Sequence, residues 1–325
     1  MKTVCWGIIG CGDVTEVKSG PALQKADGSQ LVAVMRRNGT LAKDYAERHG
    51  VPRWYDDAQA LIDDPEVNAV YIATPPRMHK PYTLAAARAG KPVYVEKPMA
   101  LNTDECQEMI DACRTAGVPL FVAYYRRALP RFAKIKELVG SGVLGNLRYV
   151  EILLTQPAQP RTADPLPWRV QPETAGGGHF VDLASHTLDF LDYVLGPVKN
   201  VRGFACNQEG AYPAEDIVSG AFEFEGGVLG SGLWSFSSFD AADRVTIVGS
   251  AGKLTFATFE SDPVVLETAQ GRESYDIPHP PHVQQPLIQQ VVDELRGVGR
   301  CVSTGENGLR TTRVMQQLLA EYYRK

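Results

Sequence analysis

The sequence predicts an α/β protein in which an N-terminal, doubly wound parallel sheet is followed by an α+β domain with a mainly antiparallel sheet. Three observations carry this expectation. Short apolar runs alternate with helical patterns through the first third of the chain. After Ala123 the texture becomes strand-rich, with turn residues between successive runs. A length of 325 residues also exceeds one ordinary core, at roughly 150 residues per domain. The boundary falls at 123/124, giving domains over 1–123 and 124–325.

In the first domain the candidate strands are Val4–Ile9, Gln30–Met35, Ala69–Ala73, Pro92–Val95 and Leu120–Ala123. They are rich in Val, Ile and Tyr and closed by Gly, Pro or charged residues. Leu41–His49, Ala58–Ile62, Pro81–Ala89 and Asp104–Ala116 carry apolar residues at helical spacing. Asn102 and Glu105 have capping-box spacing before the last of these, and Gly90 and Gly117 read as helix stops. In the second domain a helix over Arg131–Val139 and a strand over Leu147–Leu154 precede a proline-studded loop through Gln171. Strands follow over Val198–Ala205, Ser219–Glu225, Val228–Ser235, Arg244–Val248 and Lys253–Ala257, with GSAGK at 249–253 as a hairpin turn. Helices over Leu287–Arg296 and Asn307–Tyr323 close the chain.

Composition narrows the function. The net charge of −5 is spread without long runs, so no basic stripe points to nucleic acid or anionic lipid, and a small-molecule partner is expected. The six cysteines form no CxxC pair, and most of them read as buried thiols. The N-terminus lacks a signal-peptide pattern and no run of about 18 apolar residues follows, which places the chain in the cytoplasm.

The first strand runs into Gly10-Cys11-Gly12-Asp13-Val14-Thr15. Gly10 permits a tight turn, and Gly12 lets the amides entering Asp13 and Val14 approach a pyrophosphate. Thr15 stands where a third Gly or Ala usually allows close helix packing, so the motif gains weight only from the βαβ pattern around it. At the end of the second strand, where NAD enzymes place an acid, the chain has Arg36-Arg37. Two guanidiniums suit a 2′-phosphate and favour NADP(H) over NAD(H); a solvated loop pair is the other reading.

The fifth strand ends in Glu96-Lys97-Pro98, at the carboxyl edge where doubly wound folds collect ligands. A Lys97 ammonium there can polarise a carbonyl or stabilise a developing alkoxide, although the dipeptide also fits a surface salt bridge. Gly176-Gly177-Gly178 precedes a helix presenting Asp182 and His186 four residues apart on one face. His186 can exchange a hydroxyl proton while Asp182 binds a neighbouring hydroxyl or orients the imidazole; a helix-surface pair is the bland reading. Asp189 continues that face and reads as solvated. His79, His179 and Asp182 lack metal-ligand spacing, so no metal is expected. The stretch 156–178 holds five prolines and is too long for a connector. It reads as a wall over a substrate, with Trp168 offering an apolar face and Arg169 a cation for substrate or cofactor.

Together, GIIGCGDV, YIATPPRMH, VEKP, the Trp168-Arg169 pair and GGGHFVDLASH resemble the glucose-fructose oxidoreductase / inositol dehydrogenase (Gfo/Idh/MocA) family, over nearly the whole chain. The resemblance implies that Thr74, Pro75 and His79 lie along the cofactor and that Glu96 and Lys97 lie near the nicotinamide. It matches Lys97, Asp182 and His186 to the family's catalytic lysine, substrate-binding aspartate and catalytic histidine. Tyr125 stands where the family commonly has asparagine, before the arginine matched by Arg127, and both become candidate substrate contacts. The family also implies that the second domain's sheet is large and open and makes a homodimer or homotetramer. The expected activity is hydride transfer between NADP(H) and a secondary alcohol or ketone of a sugar, cyclitol or related compound. A glycosidase that retains its nicotinamide and a non-enzymatic NADP-binding regulator are the alternatives.

Overall fold

The computed structural model describes residues 1–158 and 165–324. The chain forms two compact units, one of 1–129 with 279–309 and one of 130–278 with 310–325. A single boundary at 123/124 is therefore replaced by three crossings, because segments near the C-terminus rejoin each unit.

In the first unit, β1 (Val4–Ile9), β2 (Ser29–Met35), β3 (Arg53–Tyr55), β4 (Ala69–Ile72), β5 (Val93–Val95) and β6 (Leu120–Val122) form one parallel sheet in the order β3-β2-β1-β4-β5-β6. Helices cover both faces, so β4 and β5 are buried along their whole length and read as unbroken apolar runs. Asn38, Asp57 and Asn102 accept from the backbone N–H three residues on and start the helices Gly39–His49, Ala58–Asp63 and Thr103–Thr115. Trp6, Tyr71 and Tyr94 are fully buried, with the two tyrosine rings stacked at 5.0 Å. β3 has three residues on the sheet edge, too few for a periodic signal. Segment 279–309 contributes the helix Gln285–Arg296 and bridges β6 through Phe121 and Thr304.

The second unit holds an eight-stranded sheet, in the order β14-β13-β12-β11-β7-β10-β9-β8. Its strands are β7 (Leu147–Pro157), β8 (Val198–Cys206), β9 (Ile217–Phe224), β10 (Leu229–Ser238), β11 (Ala242–Gly249), β12 (Gly252–Phe256), β13 (Val264–Thr268) and β14 (Gly271–Tyr275). β10 and β7 run parallel and every other neighbouring pair is antiparallel. The expected GSAGK hairpin joins β11 to β12. One face buries Val150, Ile152, Phe222, Trp234, Ile247 and Phe256, while the alternate residues Tyr149, Phe204, Leu229 and Leu233 are exposed. Gly230 and Gly232 admit the rings of Phe222 and Trp234: an added Cβ would lie 2.0 and 2.2 Å from them. Phe132, Phe190 and Phe256 join the helices Pro130–Gly140 and His179–Leu195 to β12, with Phe132 and Phe190 edge to face at 4.8 Å. The last helix, Gly305–Leu318, stops short of Tyr323. No helix among the described residues is long and apolar enough to cross a membrane.

Candidate active site

In the first unit the strand order reverses at β1 and β4, which opens a crevice at the carboxyl ends of these two strands. Gly10 follows β1 with φ of +95°, and a Cβ there would lie 2.8 Å from Thr74 Cγ2. The N–H groups of Gly10 and Cys11 both donate to Met35 O, at 2.8 and 3.1 Å, folding the turn over the end of β2. At Gly12, by contrast, an added Cβ would meet nothing nearer than 4.0 Å. The helix Asp13–Val17 that starts there has no side-chain cap, so its first N–H groups suit an anion. Thr74, after β4, buries Oγ1 without a hydrogen-bond partner among the described residues. Open backbone on one side of the crevice and an unsatisfied hydroxyl on the other fit the phosphates and ribose of a dinucleotide.

Thr15 also finds its explanation. It is buried, its hydroxyl donates to Gly12 O at 2.7 Å, and its carbonyl accepts from Tyr45 Oη at 2.8 Å. At Gly20, which opens the next helix, an added Cβ would lie 2.3 Å from both Thr15 O and Tyr45 Oη.

Arg36 and Arg37 are exposed at the end of β2, where Arg36 N–H donates to Tyr55 O at 3.2 Å. Pro75 is half-buried beside Thr74. His79 is fully buried. Its Nδ1 faces the carbonyls of Pro98 and Met99 at 3.0 and 3.2 Å, and its Nε2 faces that of Thr74 at 2.7 Å. The ring therefore joins the loop after β4 to the loop after β5, and burial pushes its pKa below the usual imidazole value.

Glu96 is buried beside the half-buried Lys97. Its Oε1 accepts from Tyr71 Oη and Gln284 Nε2, both at 2.6 Å, and its Oε2 accepts from Lys97 N at 3.2 Å. Gln284 in turn accepts from Tyr94 Oη at 2.8 Å. Nothing local flags Gln284, which comes from the returning segment 188 residues away. Tyr125 and Arg127 are buried in a helical turn, Tyr125–Ala128, of the first unit, with Arg127 donating to Val302 O at 3.3 Å.

In the second unit Asp182 and His186 lie on the helix His179–Leu195. Gly178 is its N-cap and donates to Glu215 Oε1 at 2.8 Å. A Cβ on Gly177 would lie 2.4 Å from Val181 Cγ2, and one on Gly178 would lie 2.7 Å from Glu215 O, so the glycine run is a packing requirement. Glu215 is fully buried, and its Oε2 accepts from Tyr323 Oη at 2.6 Å. Burial pushes its pKa up against the pull of these donors. Asp182 pairs with Arg169 Nε at 3.2 Å, and the Arg169 guanidinium lies 4.5 Å from the Trp168 ring centroid. Arg169 thus holds the aspartate. His186 is 3% exposed, which excludes a helix-surface pair, and its ring meets that of Phe259 edge to face at 6.0 Å. Asp189, expected in solvent, is fully buried and accepts from Thr311 Oγ1 at 3.3 Å. Asp192 takes a bidentate contact from Arg310 at 2.8 and 2.7 Å. Part of the proline-rich stretch, 159–164, lies outside the described residues; Trp168 is half-buried at the start of a short turn that continues to Val170. Among the described residues no group of three or more His, Cys, Asp or Glu could hold a metal ion.

Residues 4–124 match the oxidoreductase family with an NAD-binding Rossmann fold, and residues 132–255 match the GFO/IDH/MocA C-terminal domain. The chain is 44% identical over 289 residues to oxidoreductase P35 of Formosa agariphila, covering 88% of this chain and 89% of that one. It is 30% identical over 274 residues to myo-inositol 2-dehydrogenase of Thermotoga maritima, covering 82% and 78%. Among solved structures, the aldose-aldose oxidoreductase of Caulobacter crescentus in complex with glycerol superposes with a TM-score of 0.86 at 25% identity, covering 98% of this chain and 97% of that one. With its Rossmann order, dinucleotide crevice and family matches along most of its length, this chain is an NAD(P)-dependent oxidoreductase of the Gfo/Idh/MocA family.

Proposed function

We propose that the enzyme transfers a hydride between NADP(H) and a secondary alcohol, or the corresponding ketone, of a sugar, cyclitol or related polyol. The observation that carries this reading is His186: a buried imidazole one helical turn from an aspartate, on a helix anchored through Glu215 and Arg310. Such anchoring suits a side chain that must present a titrating nitrogen reproducibly.

The bound nicotinamide supplies the hydride acceptor or donor. Lys97 stabilises the alkoxide that develops as the hydride leaves, or polarises the carbonyl in the reverse direction. His186 takes the hydroxyl proton in oxidation and returns it in reduction. Asp182, held by Arg169, binds a neighbouring hydroxyl, which orients the reacting carbon. Tyr125, Arg127 and Trp168 complete the proposed substrate contacts. Gly10, Gly12, Asp13, Val14, Thr74 and Pro75 receive the dinucleotide, with His79 and Glu96 fixing the loops that carry Thr74 and Lys97.

The preference for NADP(H) rests on Arg36 and Arg37, two exposed guanidiniums at the strand end that receives the adenosine ribose. The substrate class rests on the relatives' names, one acting on myo-inositol and one on aldoses. Homo-oligomerisation is proposed through the outward sheet face that exposes Tyr149, Phe204, Leu229 and Leu233. The test is fluorescence titration with NADPH and NADH, followed by sugars and cyclitols with nicotinamide absorbance as readout. Tighter NADPH binding and turnover of a polyol are expected. NADPH that binds, with no sugar or cyclitol reducing NADP+ and no corresponding ketone oxidising NADPH, would overturn the reading in favour of a retained-cofactor glycosidase or a regulator.

A further inference from the structure

We infer that the turn 258–262 is a preformed wall of the substrate site, and that Phe259 on it selects cyclic substrates by packing on a C–H face of their ring. The turn follows β12 and reads Thr258-Phe259-Glu260-Ser261-Asp262, a polar stretch around one half-buried aromatic residue. Its backbone is held from three sides. Asp243 accepts from the N–H groups of Thr258, Phe259 and Glu260 at 3.0, 2.5 and 3.0 Å. Arg131, 2% exposed, donates to Glu260 O at 2.9 Å and to Asp262 O. The hydroxyls of Thr258 and Thr187, the latter next to His186 on its helix, lie 3.0 Å apart. The result is the edge-to-face contact of Phe259 with His186, the planes at 76°.

A turn that merely joins two strands needs no buried guanidinium. Desolvating Arg131 is costly, and two of its hydrogen bonds go to carbonyls of this turn, which fixes the turn's shape from a buried position. That shape holds an aromatic ring against the proposed proton-exchanging residue. Sugars and cyclitols have polar edges and apolar C–H faces, and an aromatic wall receives such a face. With the ring face on Phe259, the hydroxyls at the ring edge are free to meet His186. A flexible, acyclic polyol has no such face and gains little from the wall.

The inference rests on the proposed role of His186. The experiment compares kcat/KM for myo-inositol and D-glucose with that for acyclic D-sorbitol, in the wild-type protein, Phe259→Ala, Phe259→Tyr and Arg131→Met, with NADPH affinity measured in each. Phe259→Ala should lower kcat/KM on the cyclic compounds by about tenfold or more, mainly through KM, with a much smaller loss on sorbitol. Phe259→Tyr, which keeps the ring, should restore the cyclic preference, and Arg131→Met should reproduce the loss. NADPH affinity should not move. Equal losses on cyclic and acyclic compounds, or none, would overturn the inference and leave the dehydrogenase reading standing. Absence of turnover on every polyol in the wild-type protein would bring down that reading and this inference with it.

Discussion

In the first unit the features proposed to receive a dinucleotide are open backbone at Gly12, an unsatisfied Thr74 hydroxyl and two exposed arginines, all at strand ends of a parallel sheet. In the second, Asp182 and His186 stand on a helix whose acidic neighbours Asp189 and Asp192 are buried, and whose N-terminus is capped by the buried Glu215. The first arrangement exposes little charge to desolvation, so its side chains are expected to tune affinity with little effect on stability. The second ties function to stability, because removing one member of a buried polar contact leaves its partner unsatisfied.

The sharpest way to break this contrast is Glu215→Ala. It leaves Gly178 N–H uncapped and Tyr323 Oη without its acceptor, and should lower unfolding free energy by about 2 to 4 kcal/mol in urea titrations while reducing kcat. Wild-type stability in this variant would mean that the helix does not depend on its buried cap. Arg310→Leu strips Asp192 of a bidentate partner and should cost about 2 to 3 kcal/mol by the same measurement, with NADPH affinity unchanged. On the other side of the comparison, Arg36→Asp should shift the NADPH-to-NADH affinity ratio by about tenfold toward NADH, with unfolding free energy within about 0.5 kcal/mol of wild type. A preserved ratio would remove Arg36 from the phosphate site.

The smallest effect concerns pH. Arg48 first, then His49, hydrogen-bonds Glu16 and holds its carboxyl at about 2, below its ordinary 4.5. A depressed carboxyl pKa stabilises the fold above the ordinary value, and that contribution is lost as pH falls from about 4.5 to about 2. Glu16→Gln should flatten acid-induced loss of stability across that window; an unchanged acid unfolding curve would show that the partly exposed cluster is screened by solvent.

The same contrast governs what could be read from the chain. Local order in the first unit was legible: β1 was expected at its observed ends, Gly90 and Gly117 do end their helices with positive φ, and Gly10 makes the expected turn at φ of +95°. β3, β13 and β14 were missed because strands of three to five residues carry too little periodicity, and β3 and β14 also lie at sheet edges. The i, i+4 spacing that singles out Asp182 and His186 says nothing of their burial. Glu215 meets Gly178 across 37 residues, Asp192 meets Arg310 across 118, and Gln284 meets Glu96 across 188. No local pattern encodes such pairings, so Asp189 read as solvated and segment 279–309 read as part of the second domain.

The central claim is that Lys97 and His186 perform the proton and charge chemistry of hydride transfer. Its most direct test is kcat of wild-type, Lys97→Ala and His186→Ala proteins on the best polyol with saturating NADP+, alongside NADPH affinity. A loss of at least about hundredfold in both variants, with affinity essentially unchanged, is the predicted result. Near-wild-type kcat in either variant would contradict the account.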